Sequence, residues 1–130
     1  MRPNDRLPPV FLPRCIYHLA DAANWVSIQH YGLLSTSALL DLLGVQGRER
    51  KQIEQQHRTQ QVNLANGVII RDQKPMPPAT LERCLCGMTS SEWYALLNAR
   101  VFFWLDIERL NRMLKANHRR PQVVMILDTE

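Results

Sequence analysis

No stretch of this chain approaches the roughly 18 consecutive apolar residues that a membrane-spanning helix needs, so no membrane partner is expected. Basic residues open the N-terminus, but Pro3, Pro8 and Pro9 interrupt its apolar stretch, which excludes a signal peptide. Cysteine is scarce. Cys15, Cys84 and Cys86 are an odd number that describes no disulfide framework, so a reducing cytoplasm is the expected compartment. Cys84-x-Cys86 with Cys15 also lacks a fourth ligand at zinc spacing, and His18, His30, His57 and His118 are scattered. Buried free thiols and no metal are the expectation. Lysine is rare too, present only at Lys51, Lys74 and Lys115, so arginine carries nearly all of the positive charge. Glycine never clusters into a dinucleotide-binding or phosphate-binding loop, which excludes those nucleotide folds. A strained Gly-x-Ser-x-Gly nucleophile turn is missing as well.

What is present describes a globular chain. A length of 130 residues fits one domain with a real core. An apolar fraction of 45% against 22% charged separates it from disordered sequences. The net charge of +4 and a pI near 9.3 are moderately basic, a balance that a solvated surface explains and that permits a nucleic-acid partner.

The chain divides into an extended, proline-rich lead-in at 1–14 and a single α+β domain at 15–130. Cys15 to Leu19 is a short apolar run with one embedded His, read as a buried strand. Asp21 or Asn24 caps the helix behind it, Trp25, Ile28 and Tyr31 recur at helical spacing, and Gly32 ends it. Ser35 or Thr36 caps a leucine-rich helix stopped by Gly44. Residues 47–58 are strongly polar around Ile53 and read as an exposed helix or a mobile lid. Asn66-Gly67 between apolar runs signals a hairpin, and 71–78 is a charged, proline-studded loop. Thr80 to Cys86 reads as a helical turn. Thr89-Ser90-Ser91-Glu92 is a capping box, with Trp93, Leu96 and Leu97 on one face of the helix it opens. Val101 to Leu105 reads as a central strand, and Asp106 caps a helix with Ile107, Leu110, Met113 and Leu114 on its buried face. Gln122 to Leu127 is the last strand, suited to burial on both faces. The expected architecture is a central mixed sheet flanked by helices.

One polar set stands out around the first strand: Tyr17, His18, Asp21, Asn24, Ser35 and Thr36, with Arg71, Arg100 and Arg109 as anion partners. A strand-end His near a helix N-terminus sits where backbone N–H groups favour phosphate. The plain alternative is a structural histidine beside an ordinary capped helix.

The run Ile16-Tyr17-His18-Leu19-Ala20, then Asn24-Trp25-Val26-Ser27-Ile28 and Tyr31-Gly32-Leu33-Leu34-Ser35, resembles the opening of DarT-like and related ADP-ribosyltransferase domains. There an aromatic-His or aromatic-Arg strand leads through Asn-Leu-x-x-Ile to a Gly-Leu-Leu end. The likeness covers residues 16–35. Ile70-Arg71-Asp72-Gln73 and the segment from Leu97 to Asp106 also resemble a little-characterised bacterial family with the same opening, over nearly the whole chain.

The resemblance implies a split-sheet fold that binds NAD as a substrate. His18 would hold the nicotinamide ribose and Asn24 would help position NAD. Tyr17, Ser35 and Arg71 would complete the cofactor contacts, and Arg109 would bind pyrophosphate or act in catalysis. Asp21 stands where the DarT-like pattern usually has His, and Leu19-Ala20 replaces a Gly-Ser/Thr pair. The transferases also carry a catalytic Glu on a late strand, whereas this sequence stops at Asp128-Thr129-Glu130. Either Glu130 stands in for it, or the sheet is incomplete at the C-terminus and the chain is a fragment or inactive scaffold; the second is expected. Transfer of ADP-ribose passes through an oxocarbenium-like state, which demands that NAD be oriented and a carboxylate be placed nearby. The acceptor would be a nucleic acid or a protein. The competing expectation is a non-enzymatic basic module in which Arg109, Arg112, Lys115, Arg119 and Arg120 contact nucleic acid or an acidic protein.

Overall fold

The computed structural model describes residues 13–130. The expected lead-in at 1–14 therefore lies outside the described residues except for Pro13 and Arg14. The arrangement is α+β, with six α-helices and four short strands among the described residues. Two compact units divide it: one built from the two ends of the chain, up to Ala22 and from Phe102 onward, the other from Ala23 to Val101.

In the first unit, β1 (Cys15–Asp21) pairs antiparallel with β4 (Gln122–Asp128), with Cys15 opposite Asp128 and Asp21 opposite Gln122. Helix α6 (Ile107–Ala116) precedes β4 in the chain. Asp106 opens it as anticipated, its carboxylate accepting from the N–H groups of Glu108 at 2.8 Å and Arg109 at 3.4 Å. Among the described residues, the buried apolar positions of this unit are Ala20 and Leu110.

Four expectations fail here. The central mixed sheet is replaced by two separate two-stranded antiparallel sheets among the described residues. Val101 to Leu105 forms no strand beyond a single bridge between Trp104 and Tyr17. Phe102 and Leu105 are 57% and 62% exposed; β-branched and aromatic composition suits a pleated surface but cannot supply a neighbouring strand. β4 is likewise half-buried instead of covered on both faces, because its residues alternate toward and away from solvent. On α6 only Leu110 is buried, while Ile107 and Met113 are exposed.

The second unit is mostly helical. Helix α1 (Trp25–Tyr31) stops at Gly32, which takes φ +83° and donates to the Ile28 carbonyl at 2.8 Å. Helix α2 (Thr36–Leu42) is capped by Ser35, and the polar helix α3 (Gly47–Glu54) follows. Outside support for α3 comes from Arg50, whose guanidinium bridges Glu54 at 3.1 Å and reaches back to Asp41 on α2. Strands β2 (Val62–Asn63) and β3 (Ile69–Ile70) form the predicted hairpin. Asn66 and Gly67 both take positive φ, 61° and 74°, and Val68 donates to Ala65 at 3.3 Å, a type I′ turn. Helix α4 (Pro78–Cys84) comes next, then α5 (Ser90–Asn98) behind the complete Thr89/Glu92 capping box. The buried residues of α5 are Tyr94 and Asn98, while Trp93, Leu96 and Leu97 are half-buried. Leu40, Ile53 and Ile70 form the core, with Val45, Val62 and Leu64 packed against it. Each such aliphatic side chain contributes about 1.5–3 kcal/mol on burial.

Candidate functional site

The Tyr17–His18 pair works on the segment from Phe102 to Leu105. Tyr17 exchanges both backbone bonds with Trp104, at 2.9 and 2.7 Å. His18 Nδ1 lies 2.9 Å from the Phe102 carbonyl oxygen. A carbonyl can only accept, so Nδ1 carries the proton, and in the neutral ring Nε2 then presents a lone pair. The ring also meets Phe103 edge-on, with centroids 5.8 Å apart at 64°. One strand thus pins an otherwise irregular aromatic segment from both backbone and side chain.

That segment lines a cleft of about 260 Å³ with Phe103, Trp104 and Leu105 on its walls, and Asp106 and Arg109 at the start of α6. Arg109 is 73% exposed and forms a loose ion pair with Asp106 at 4.0 Å, a contact too solvated to hold the guanidinium strongly. Asp106 is committed to capping the helix. The cleft therefore combines aromatic walls with an accessible planar cation, and the His18 ring lies against one of its wall residues. Glu130 is exposed beyond β4 and is not among the residues lining the cleft; its own N–H donates to the Asp128 carboxylate at 3.1 Å.

Of the other sequence candidates, Asn24, Ser35 and Arg71 lie in the second unit. Asn24 does not cap α1 through its side chain: its backbone is helical there. Its amide instead closes a two-bond clamp on Ile69, accepting from the N–H at 2.7 Å and donating to the carbonyl at 2.8 Å. This fixes the entry to α1 against the hairpin. The Ser35 hydroxyl accepts from Ala38 N–H at 3.2 Å as the α2 cap. Arg71 is half-buried just after β3, and its carbonyl accepts from Arg58 Nε at 3.0 Å.

A family described as a family of unknown function, DUF7002, matches residues 14–130. The chain belongs to the DUF7002 family. No curated protein and no solved structure matches it. The matched span takes in every described element of this DUF7002 chain, from β1 to β4.

Sequence reasoning missed a polar network of the DUF7002 chain built on Arg58 and Asn98. Arg58 donates from Nε to Arg71 O and from one terminal nitrogen to Ile53 O and Asn98 Oδ1, the latter two at 2.8 Å. Asn98, 4% exposed, passes its own amide protons to Glu54 O and Tyr94 O at 2.9 Å. Burial lowers the Arg58 pKa from its usual value, and the nearby negative charge of Asp72 opposes that shift. The signal available was an arginine just after a helix, which says nothing about partners 40 residues away.

A second cleft of about 220 Å³, lined by Val26, Ser27, His30, Tyr31, Leu42 and Val68 among others, lies wholly in the second unit. Cys84 and Cys86 are exposed and Cys15 half-buried, so the thiols are free but not buried as expected. Among the described residues no three His, Cys, Asp or Glu side chains gather as metal ligands, and no helix is long and apolar enough to cross a membrane.

Proposed function

We propose that this chain is an NAD-binding, ADP-ribosyltransferase-like module whose binding surface is the cleft at the start of α6. The observation that carries the reading is the convergence of His18, Phe103 and Arg109 on one segment. A planar ring stacks on the aromatic wall, the guanidinium takes a phosphate, and His18 Nε2 accepts from a ribose hydroxyl. A volume of about 260 Å³ falls below the roughly 300–1,000 Å³ of pockets that enclose drug-sized ligands. The cleft therefore takes one end of the dinucleotide and leaves the other in solvent. Asn24 and Ser35 support the frame in this reading, since their side chains are engaged with backbone. Binding is assigned, transfer is not: among the described residues the only carboxylate lining the cleft is that of Asp106, which serves as a helix cap.

The test is thermal denaturation with millimolar NAD, ADP-ribose and nicotinamide in parallel. A ligand at 100 times its Kd stabilises by about 2.7 kcal/mol. The expected result is a rise in Tm with NAD that shrinks in both His18→Ala and Arg109→Ala. No rise in well-folded wild type sinks the reading.

A second reading is supported by the spacing of Arg109, Arg112 and Lys115, three residues apart and all exposed on α6, near an exposed Phe102 in the chain. In that reading the module is non-enzymatic and binds single-stranded nucleic acid, stacking bases and tracking phosphates. Anisotropy with a labelled oligonucleotide across a salt series separates the two. Binding that falls steeply with salt and is indifferent to NAD favours the basic module.

A further inference from the structure

β4 has one strand partner among the described residues, β1, and its other edge meets no strand there. The direction of that edge follows from the backbone hydrogen bonds of β1. Tyr17 spends its N–H and C=O on Trp104, so the odd residues of β1 face away from β4. Ala22 N–H donates to Pro121 O and Thr129 N–H donates to Arg14 O, so the even positions face it. With Tyr17 opposite Ile126 and His18 opposite Met125, Met125 points its backbone groups at β1, while those of Val124 and Ile126 point outward. The same two residues expose their side chains, 38% and 68%. Gln122 to Asp128 contains no Pro, no Gly and no Lys or Arg, so no proline or basic side chain of the strand itself blunts that edge.

The geometry points to a second copy of this chain as the occupant, with β4 adding antiparallel to β4 about a two-fold axis at Met125. Charge argues for the copy and for the direction. β4 is preceded by His118, Arg119 and Arg120 and ends in Asp128 followed by Glu130. Antiparallel self-pairing sets the basic end of one strand against the acidic end of the other, and a parallel arrangement would set like beside like. Centred on Met125, Val124 exchanges both backbone bonds with Ile126 of the second copy and the reverse. Gln122 lies opposite Asp128, and Arg120 opposite Glu130. The two small sheets become one of four strands, with Val124 and Ile126 of both copies covering each other on the outer face. A two-stranded sheet is marginal alone, and three or more strands with an apolar face are not.

The test uses the full chain in sedimentation velocity over a concentration series, with circular dichroism as the control for folding. Wild type is expected to shift from monomer to dimer, and Ile126→Lys to stay monomeric with unchanged secondary structure. At the axis Met125 faces itself in a non-hydrogen-bonded pair, where Cα atoms approach to about 4.5 Å, within disulfide range. Met125→Cys, oxidised with diamide, is expected to give a covalent dimer whose 125–125 linkage is mapped by peptide mass spectrometry. Val123→Cys lies opposite Leu127 of the second copy and is expected to give none. Wild type that remains monomeric at its highest attainable concentration overturns the proposal. So does equal cross-linking of both variants, which denies the register. Val124 and Ile126 amides protected from exchange in a monomer also overturn it, because the edge is then covered by the chain itself.

Discussion

Arg58 earns its place by satisfying carbonyls that would otherwise be stranded. Its guanidinium reaches Ile53, Arg71 and Asn98, and Asn98 extends the set to Glu54 and Tyr94. Cutting such a network from one side leaves buried acceptors unpaired, and each costs about 1–3 kcal/mol. Asn98→Ala is therefore expected to lower unfolding free energy by about 2–3 kcal/mol, read from urea denaturation with an unchanged slope. Asn98→Asp should lose less than Asn98→Ala, since a carboxylate keeps the acceptor for Arg58. Equal losses would mean that the Glu54 and Tyr94 bonds carry the effect. Asn24 is the same kind of residue at smaller scale. Its two bonds to Ile69 replace the cap that its position suggested. Neither arrangement was legible, because a side-chain amide or guanidinium announces hydrogen-bonding capacity but not the remote backbone that will use it.

At the scale of elements, legibility follows locality. The Thr89/Glu92 box, the Asp106 cap, the Gly32 stop and the Asn66-Gly67 turn are each decided within four or five residues, and each forms as read. The segment Val101 to Leu105 looked like a strand by the same local logic. A strand, however, needs neighbours, and here it receives one bridge from Tyr17 and one bond from His18. Its apolar side chains then line a cleft instead of a core, so the error fell on the surface proposed to bind ligand. Two substitutions weigh the local signals. Thr89→Ala removes the acceptor for Glu92 N–H and is expected to cost about 1 kcal/mol. Gly67→Ala is expected to cost about 1–2 kcal/mol purely through φ, because a Cβ there meets nothing within 4 Å. Asn66→Gly, at the adjacent positive φ, should be close to neutral in the same melts.

At the scale of the whole molecule, the order of the chain is expected to set the order of assembly. β1 and β4 are joined only through everything between them, with Asp21 opposite Gln122 at the nearest pair. The unit from Ala23 to Val101 lies inside that gap and is held by closer contacts, Leu40 with Ile53 and Ile70 among them. Closing the β1–β4 pair before that inner unit folds would restrict a long flexible loop, whose entropy cost rises with its length. Closing it afterwards restricts a shorter one, because the inner unit already shortens the free chain. The sequence showed both terminal strands, yet their pairing was not readable: alternation reports which face of a strand is apolar, not which strand lies beside it. Pulse-labelling hydrogen exchange during refolding should find amides of Leu40, Ile53 and Ile70 protected in an earlier phase than those of Ala20 and Met125. A single phase for both sets would mean that the terminal pair forms in the same step as the inner unit, and loop closure would not govern the route.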